Sequence, residues 1–143
     1  VARKDTRTWT FTGSKNLKLD AVGKQATLQA RSLSAVFTDS AHPDTNKTYV
    51  YEAALTANWA TTGTYKLWGT FGLSDNGTLT SGVIANAAPL TWTEGCCYPV
   101  NGAIAFTRNG SSTTAAFGLP CGALTIAPAG QAPQNLSLAA CGQ

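Results

Sequence analysis

The chain has one histidine, so any imidazole chemistry must use His42. It stands in Asp39-Ser40-Ala41-His42-Pro43-Asp44, where two carboxylates and an imidazole could gather round a divalent metal. The plainer reading is a solvated turn whose bend is set by Pro43. A serine nucleophile would need a base, and there is no G-x-S-x-G elbow. Glycoside hydrolysis needs two facing carboxyls. Glu52, Glu94, Asp75 and Asp20 fall on separate segments with nothing to pair them. The glycines form no phosphate-binding motif, and nothing implies a cofactor. On these residues the chain is expected not to be an enzyme.

Four cysteines, Cys96, Cys97, Cys121 and Cys141, lie in the last third. They lack the C-x-x-C spacing of a zinc site. A vicinal Cys96–Cys97 ring is disfavoured by geometry. Two disulfides are expected, joining the adjacent pair to Cys121 and Cys141. That places the chain in an oxidising compartment: periplasm, cell surface or medium.

The aromatics offer a binding reading. Trp68 falls on the opposite parity to Leu67, Gly69 and Phe71, beside Lys66. An exposed Trp there, with Lys66 and Trp92 nearby, could stack on a sugar or pack on a partner. The alternative is that this second face is covered as well.

These residues must be positioned by strands. Charged residues are 12% of the 143, and Thr and Gly are abundant, which suits strands and turns over helices. The pattern is clearest from Thr48 to Leu73. Tyr49, Tyr51, Ala53, Leu55, Ala57 and Trp59 share one face, with Glu52 on the other. After Thr61-Thr62-Gly63, the residues Tyr65, Leu67, Gly69, Phe71 and Leu73 resume it. A three-residue loop with Gly63 left-handed pairs Ala57 with Leu67 and Leu55 with Gly69.

Elsewhere Trp9 and Phe11 point inward from a first strand that Gly13-Ser14 ends. Leu17 and Leu19 mark a second. The apolar parity between Ala26 and Phe37 switches at Arg31-Ser32, as a β-bulge or a change of sheet would require. Asn76-Gly77 and Asn109-Gly110 are hairpin turns. The second opposes Arg108 with Ser111, and extrapolated outward it brings Cys97 beside Cys121. Either Cys96 or Cys97 then bridges Cys121, leaving the other for Cys141.

About ten short strands and no helix make an all-β fold, a single antiparallel sandwich or barrel over residues 1–143. Its C-terminal third is disulfide-stapled, and residues 1–6 form a loose tail. No apolar run approaches a membrane-spanning helix.

The motif Cys97-Tyr98-Pro99-x-x-Gly102-x-Ile104 with Phe117-Gly118-x-x-Cys121-Gly122, and Arg7-Thr8-Trp9-Thr10, resembles bacterial secreted proteins and lipoprotein-like proteins of uncharacterised function. In these, two cysteines bracket one hairpin. The resemblance implies export and an all-β fold and carries no activity. Cys96 and Cys141 depart from its pattern.

Residues 1–31 hold seven basic and two acidic groups, and residues 32–143 hold three and five. A solvated basic edge accounts for this, or docking onto an acidic surface such as a neighbouring copy. No dense basic cluster or known module points to nucleic acid. Four N-x-[ST] sequences begin at Asn46, Asn76, Asn109 and Asn135. The expectation is therefore a non-catalytic extracellular domain with a structural, assembly or adhesive role. Its partners would be copies of itself or another surface protein, with the strand bearing Arg7, Trp9 and Phe11 adding to the next sheet. The alternative is a carbohydrate-binding module.

Overall fold

The computed structural model describes residues 7–139. Ten strands form one antiparallel sheet: β1 (Arg7–Asp20), β2 (Gln25–Asp39), β3 (Lys47–Asn58), β4 (Thr64–Asp75), β5 (Thr78–Ile84), β6 (Leu90–Thr93), β7 (Ala103–Arg108), β8 (Ser111–Gly118), β9 (Ala123–Pro128) and β10 (Gln134–Ser137). They follow one another as a meander from β1 to β10, except that β6 pairs with β4 below β5. Asp75 to Gly69 of β4 face β5, and Leu67 to Thr64 face β6. Trp68 stands at the seam between them. The end strands β1 and β10 do not pair with each other, so the sheet is open. Among the described residues, no helix is long and apolar enough to cross a membrane.

Both hairpin registers follow from turn chemistry. Ala57 faces Leu67 and Leu55 faces Gly69, with Gly63 at φ 69° closing the loop. Arg108 faces Ser111 round Asn109-Gly110, at φ 51° and 77°. Gly13 does not end a strand. β1 runs through it, because β2 carries the extra residue: the ladder steps from Thr12–Ser34 to Ser14–Arg31. Ser32 takes φ 47° in this bulge, and Gly13 sits against its carbonyl and Leu33 Cα at φ 121°, where a Cβ would not fit.

The bulge has a large consequence. It restores parity, so one apolar face runs unbroken across the sheet. Following the registers, Leu17, Leu28, Leu55 and Gly69 lie in one row, and Phe11, Ala35 and Tyr49 in another. The row continues through Ile84 and Ala115 to Ile126, which faces Gln134 of β10, while Leu136 faces Leu124 in the row through Phe117. The opposite face is mostly Thr, Ser, Asn and charge. Among the described residues the buried core side chains Ala30, Ala53, Ile84, Leu90 and Ala115 belong to the apolar face. Burial is deepest at Leu90, Ile84 and Ala30, and Phe71 lies over Gly82.

Toward β1 that cover is lost. Every residue of β1 is exposed. Trp9 and Phe11, expected inward, are 52% and 67% exposed, and Leu17 and Leu19 are 63% and 67% exposed. They share the core's face, but nothing lies over that end of it. Among the described residues no side chain is fully buried. The total accessible area is 9586 Å², against about 7,000 Å² for a compact chain of this mass. Subtracting about 1,600 Å² as an upper bound for the ten residues outside the described range still leaves an excess of about 1,000 Å².

Cys96 bonds Cys121, with Cα atoms 5.9 Å apart. The hairpin register had pointed to Cys97 as the nearer neighbour. It does not extend that far, because the chain leaves the ladder at Gly102. Asn101 bridges Thr91 instead, and Val100 N donates to the Thr91 carbonyl at 2.7 Å. Cys97 is also disulfide-bonded. Its expected partner Cys141, like the expected tail at residues 1–6, lies outside the described residues.

Candidate functional site: the uncovered shelf and its edge strand

The turn after β2 gathers Asp39 and His42, but for a structural task. Asp39 is buried, 4% exposed. Its Oδ1 accepts from the backbone N–H of Ala41 at 2.9 Å and of His42 at 3.2 Å. Its Oδ2 accepts from Arg7 Nε at 3.0 Å, and His42 Nδ1 stands 3.7 Å away. Asp44 belongs to the short 3₁₀ turn Pro43–Thr45. Among the described residues no three His, Cys, Asp or Glu side chains are grouped to hold a metal ion. Asp39 therefore closes the turn and ties it to the start of β1.

The hydrogen bond from Ala41 holds the Asp39 carboxyl below the ordinary carboxylate range, with His42 N–H and Arg7 adding to it against the cost of burial. A carboxyl with a lowered folded-state pKa stabilises the protein above its unfolded pKa of about 3.9. That contribution fades as pH falls through the lower folded value. Arg7→Ala removes one of the causes, so acid-induced loss of the fold is expected to begin at higher pH than in the wild type. A circular dichroism titration from pH 6 to pH 2 reads the displacement, and coincident curves would mean that Arg7 contributes nothing.

The carbohydrate-binding set is split. Lys66 and Trp68 lie on the polar face, with Trp68 opposite Thr56 and half-buried. Trp92 pairs with Tyr65 on the apolar face. One ligand surface does not take all three. The polar face instead holds an open cleft of about 570 Å³ over the β2 bulge, where polar groups such as Arg31, Ser32 and Glu52 stand beside apolar ones such as Ala54, Phe71 and Leu79. Ser32 Oγ donates to Glu52 Oε1 at 3.4 Å.

The assembly set is brought together. Arg7, Trp9 and Phe11 head the edge strand. Trp9 stacks on Phe11 at 6.0 Å between ring centres, tilts against Phe37 at 5.1 Å and stacks with Tyr49 at 6.4 Å. Beside it Phe37, Thr45, Lys47 and Tyr49 line a shallow hollow of about 280 Å³. With Leu17 and Leu19 further along, the exposed side chains of β1 present about 500 Å² of apolar surface. That is within the range of the largest patch on an ordinary monomer, and Lys15 on the same face divides it. The Leu17 and Leu19 half is absent from the site residues that sequence reasoning singled out. Its signal was available: all four large side chains are odd-numbered in one uninterrupted strand.

Comparison of the chain with protein-family models, with curated proteins and with solved structures finds no match.

Proposed function

We propose that this chain is a non-catalytic structural domain, secreted or displayed on a cell surface, that works by assembling into a larger particle. One observation carries this reading: the apolar face that forms the core continues uncovered onto β1. A polar side chain at these positions would have cost the fold little, because β1 adds almost no burial to the core. The excess of accessible area is of the size that one partner contributes to a stable interface, about 800 Å² or more. The disulfides support an oxidising location. The polar, Thr-rich opposite face is the surface such a particle would turn to water.

Sedimentation velocity on the purified chain, from about 1 to 100 μM, tests the reading. The expected result is a species of two or more copies that grows with concentration. A single-chain species across the whole range would end it.

A further inference from the structure

The geometry points to a second copy of this chain as the occupant of the β1 edge, the two β1 strands pairing antiparallel about a twofold axis at Ser14. This inference rests on the assembly reading and adds to it the partner, the element and the register.

Only one of the two sheet edges suits the task. β10 is four residues long, too short to template a stable ladder. β1 offers fourteen residues with no proline, its outer edge unpaired. A β1–β10 contact would match four of those residues and strand the rest. A β1–β1 contact uses nearly all of them, and supplies about a dozen backbone hydrogen bonds. An isologous contact of this kind closes on itself as a dimer.

The register follows from the sequence of β1. Side chains alternate, so apolar meets apolar only if the axis passes through a residue and not between two. Centring on Gly13 sets Phe11 against Lys15 and Leu19 against Arg7. Centring on Lys15 sets two ammonium groups against each other. Centring on Ser14 sets Trp9 against Leu19 and Phe11 against Leu17, each twice by symmetry. On the polar face it sets Thr12 against Asn16, Thr10 against Lys18 and Thr8 against Asp20. No like charges meet. Lys15 and Lys18, which would discourage promiscuous edge pairing, face Gly13 and Thr10 in this register, so neither is set against a large apolar side chain or another cation. On the apolar face it also sets Lys15 against Gly13 beside the axis, so the joined strands bring the two apolar shelves together on either side of the two Lys15 side chains, with the aromatic cluster of each copy at the outer ends.

Cysteine cross-linking tests this on the whole chain. Ser14→Cys places two thiols opposite each other, so mild oxidation is expected to shift most of the protein to a covalent two-chain band on a non-reducing gel. Thr12→Cys and Asn16→Cys should each stay single alone and cross-link when mixed. Ser137→Cys on β10 should stay single. Circular dichroism of each variant shows that it is folded before oxidation. A multimer by sedimentation with no Ser14→Cys cross-link, or one joined through Ser137→Cys, overturns the twofold and leaves the assembly reading standing. A single-chain species by sedimentation overturns both.

Discussion

Gly69→Ala is expected to cost about 4 kcal/mol or more, enough to unfold much of the protein at 37 °C. Gly69 lies in mid-strand, between Leu55 of β3 and Ile84 of β5. Its φ of 129° belongs to a region that side chains with a Cβ essentially do not enter. A Cβ there would also strike the Ala54 carbonyl oxygen and come within 2.9 Å of Leu55 Cα. Both obstacles are backbone atoms of the neighbouring strand, so no rotamer change relieves them. The strand would have to move, and with it the pairing of β3 with β4 on which the apolar face depends. Gly77→Ala is the matched comparison. It also has a positive φ, 85°, but nothing within 4 Å of the added atom. That variant should lose only about 1 kcal/mol. Thermal unfolding followed by circular dichroism reads the difference, expected to be roughly 10 °C or more between the two melting temperatures. Equal losses would mean that the close approach of β3 and β4 contributes nothing beyond the backbone angle.

This position also shows what alternation in a sequence reports. Pairing Leu55 with Gly69 follows from the Thr61-Thr62-Gly63 turn and from large meeting small. The contact between backbones that requires the glycine is a matter of local strand twist, which no residue pattern encodes. The same limit applies at β1. Alternation says that Trp9, Phe11, Leu17 and Leu19 share a face. Whether anything covers that face depends on where the last strands of the meander end, more than a hundred residues later. An inward expectation for Trp9 and Phe11 therefore assumed a closed body, and the sheet is open. Gly13 reads equally well as a strand end or as the partner of a bulge, and the deciding residue is Ser32 on the neighbouring strand. The placement of β6 below β5 along β4 leaves no local trace either.

Among the described residues, exposed apolar side chains stand together on the edge strand, whereas the groups that could react are scattered. Asp39 and His42, the pair that most resembles chemistry, are used to hold the end of the β1–β2 hairpin. The carboxylates stay dispersed: Glu52 is in the cleft on the polar face, Asp75 at the β4 turn and Asp20 at the end of β1. What the fold places along its edge instead is exposed apolar surface, at Trp9, Phe11, Leu17 and Leu19. The bulge in β2 serves this directly. Without the extra residue in β2, Leu17 and Leu19 would fall out of line with the core rows of β2 and β3.

Removing the Cys96–Cys121 bridge tests whether the two ends of the sheet are energetically separate. The bond closes a loop of 25 residues that contains β7 and β8. In chain-entropy terms its loss frees the unfolded state by about 3.5 kcal/mol. Cys96→Ser with Cys121→Ser is therefore expected to lower the melting temperature by roughly 10 °C. Serine at both positions keeps the small polar shape, and Cys121 is exposed, so no buried group is left without a partner. The edge strand lies at the other end of the meander and pairs only with β2. At 20 °C, where the variant remains folded, its sedimentation behaviour should match the wild type within a few-fold in association constant. A variant that melts as expected but no longer associates would show that the shelf depends on the stapled end, and that the surface on β1 is not the one that brings copies together.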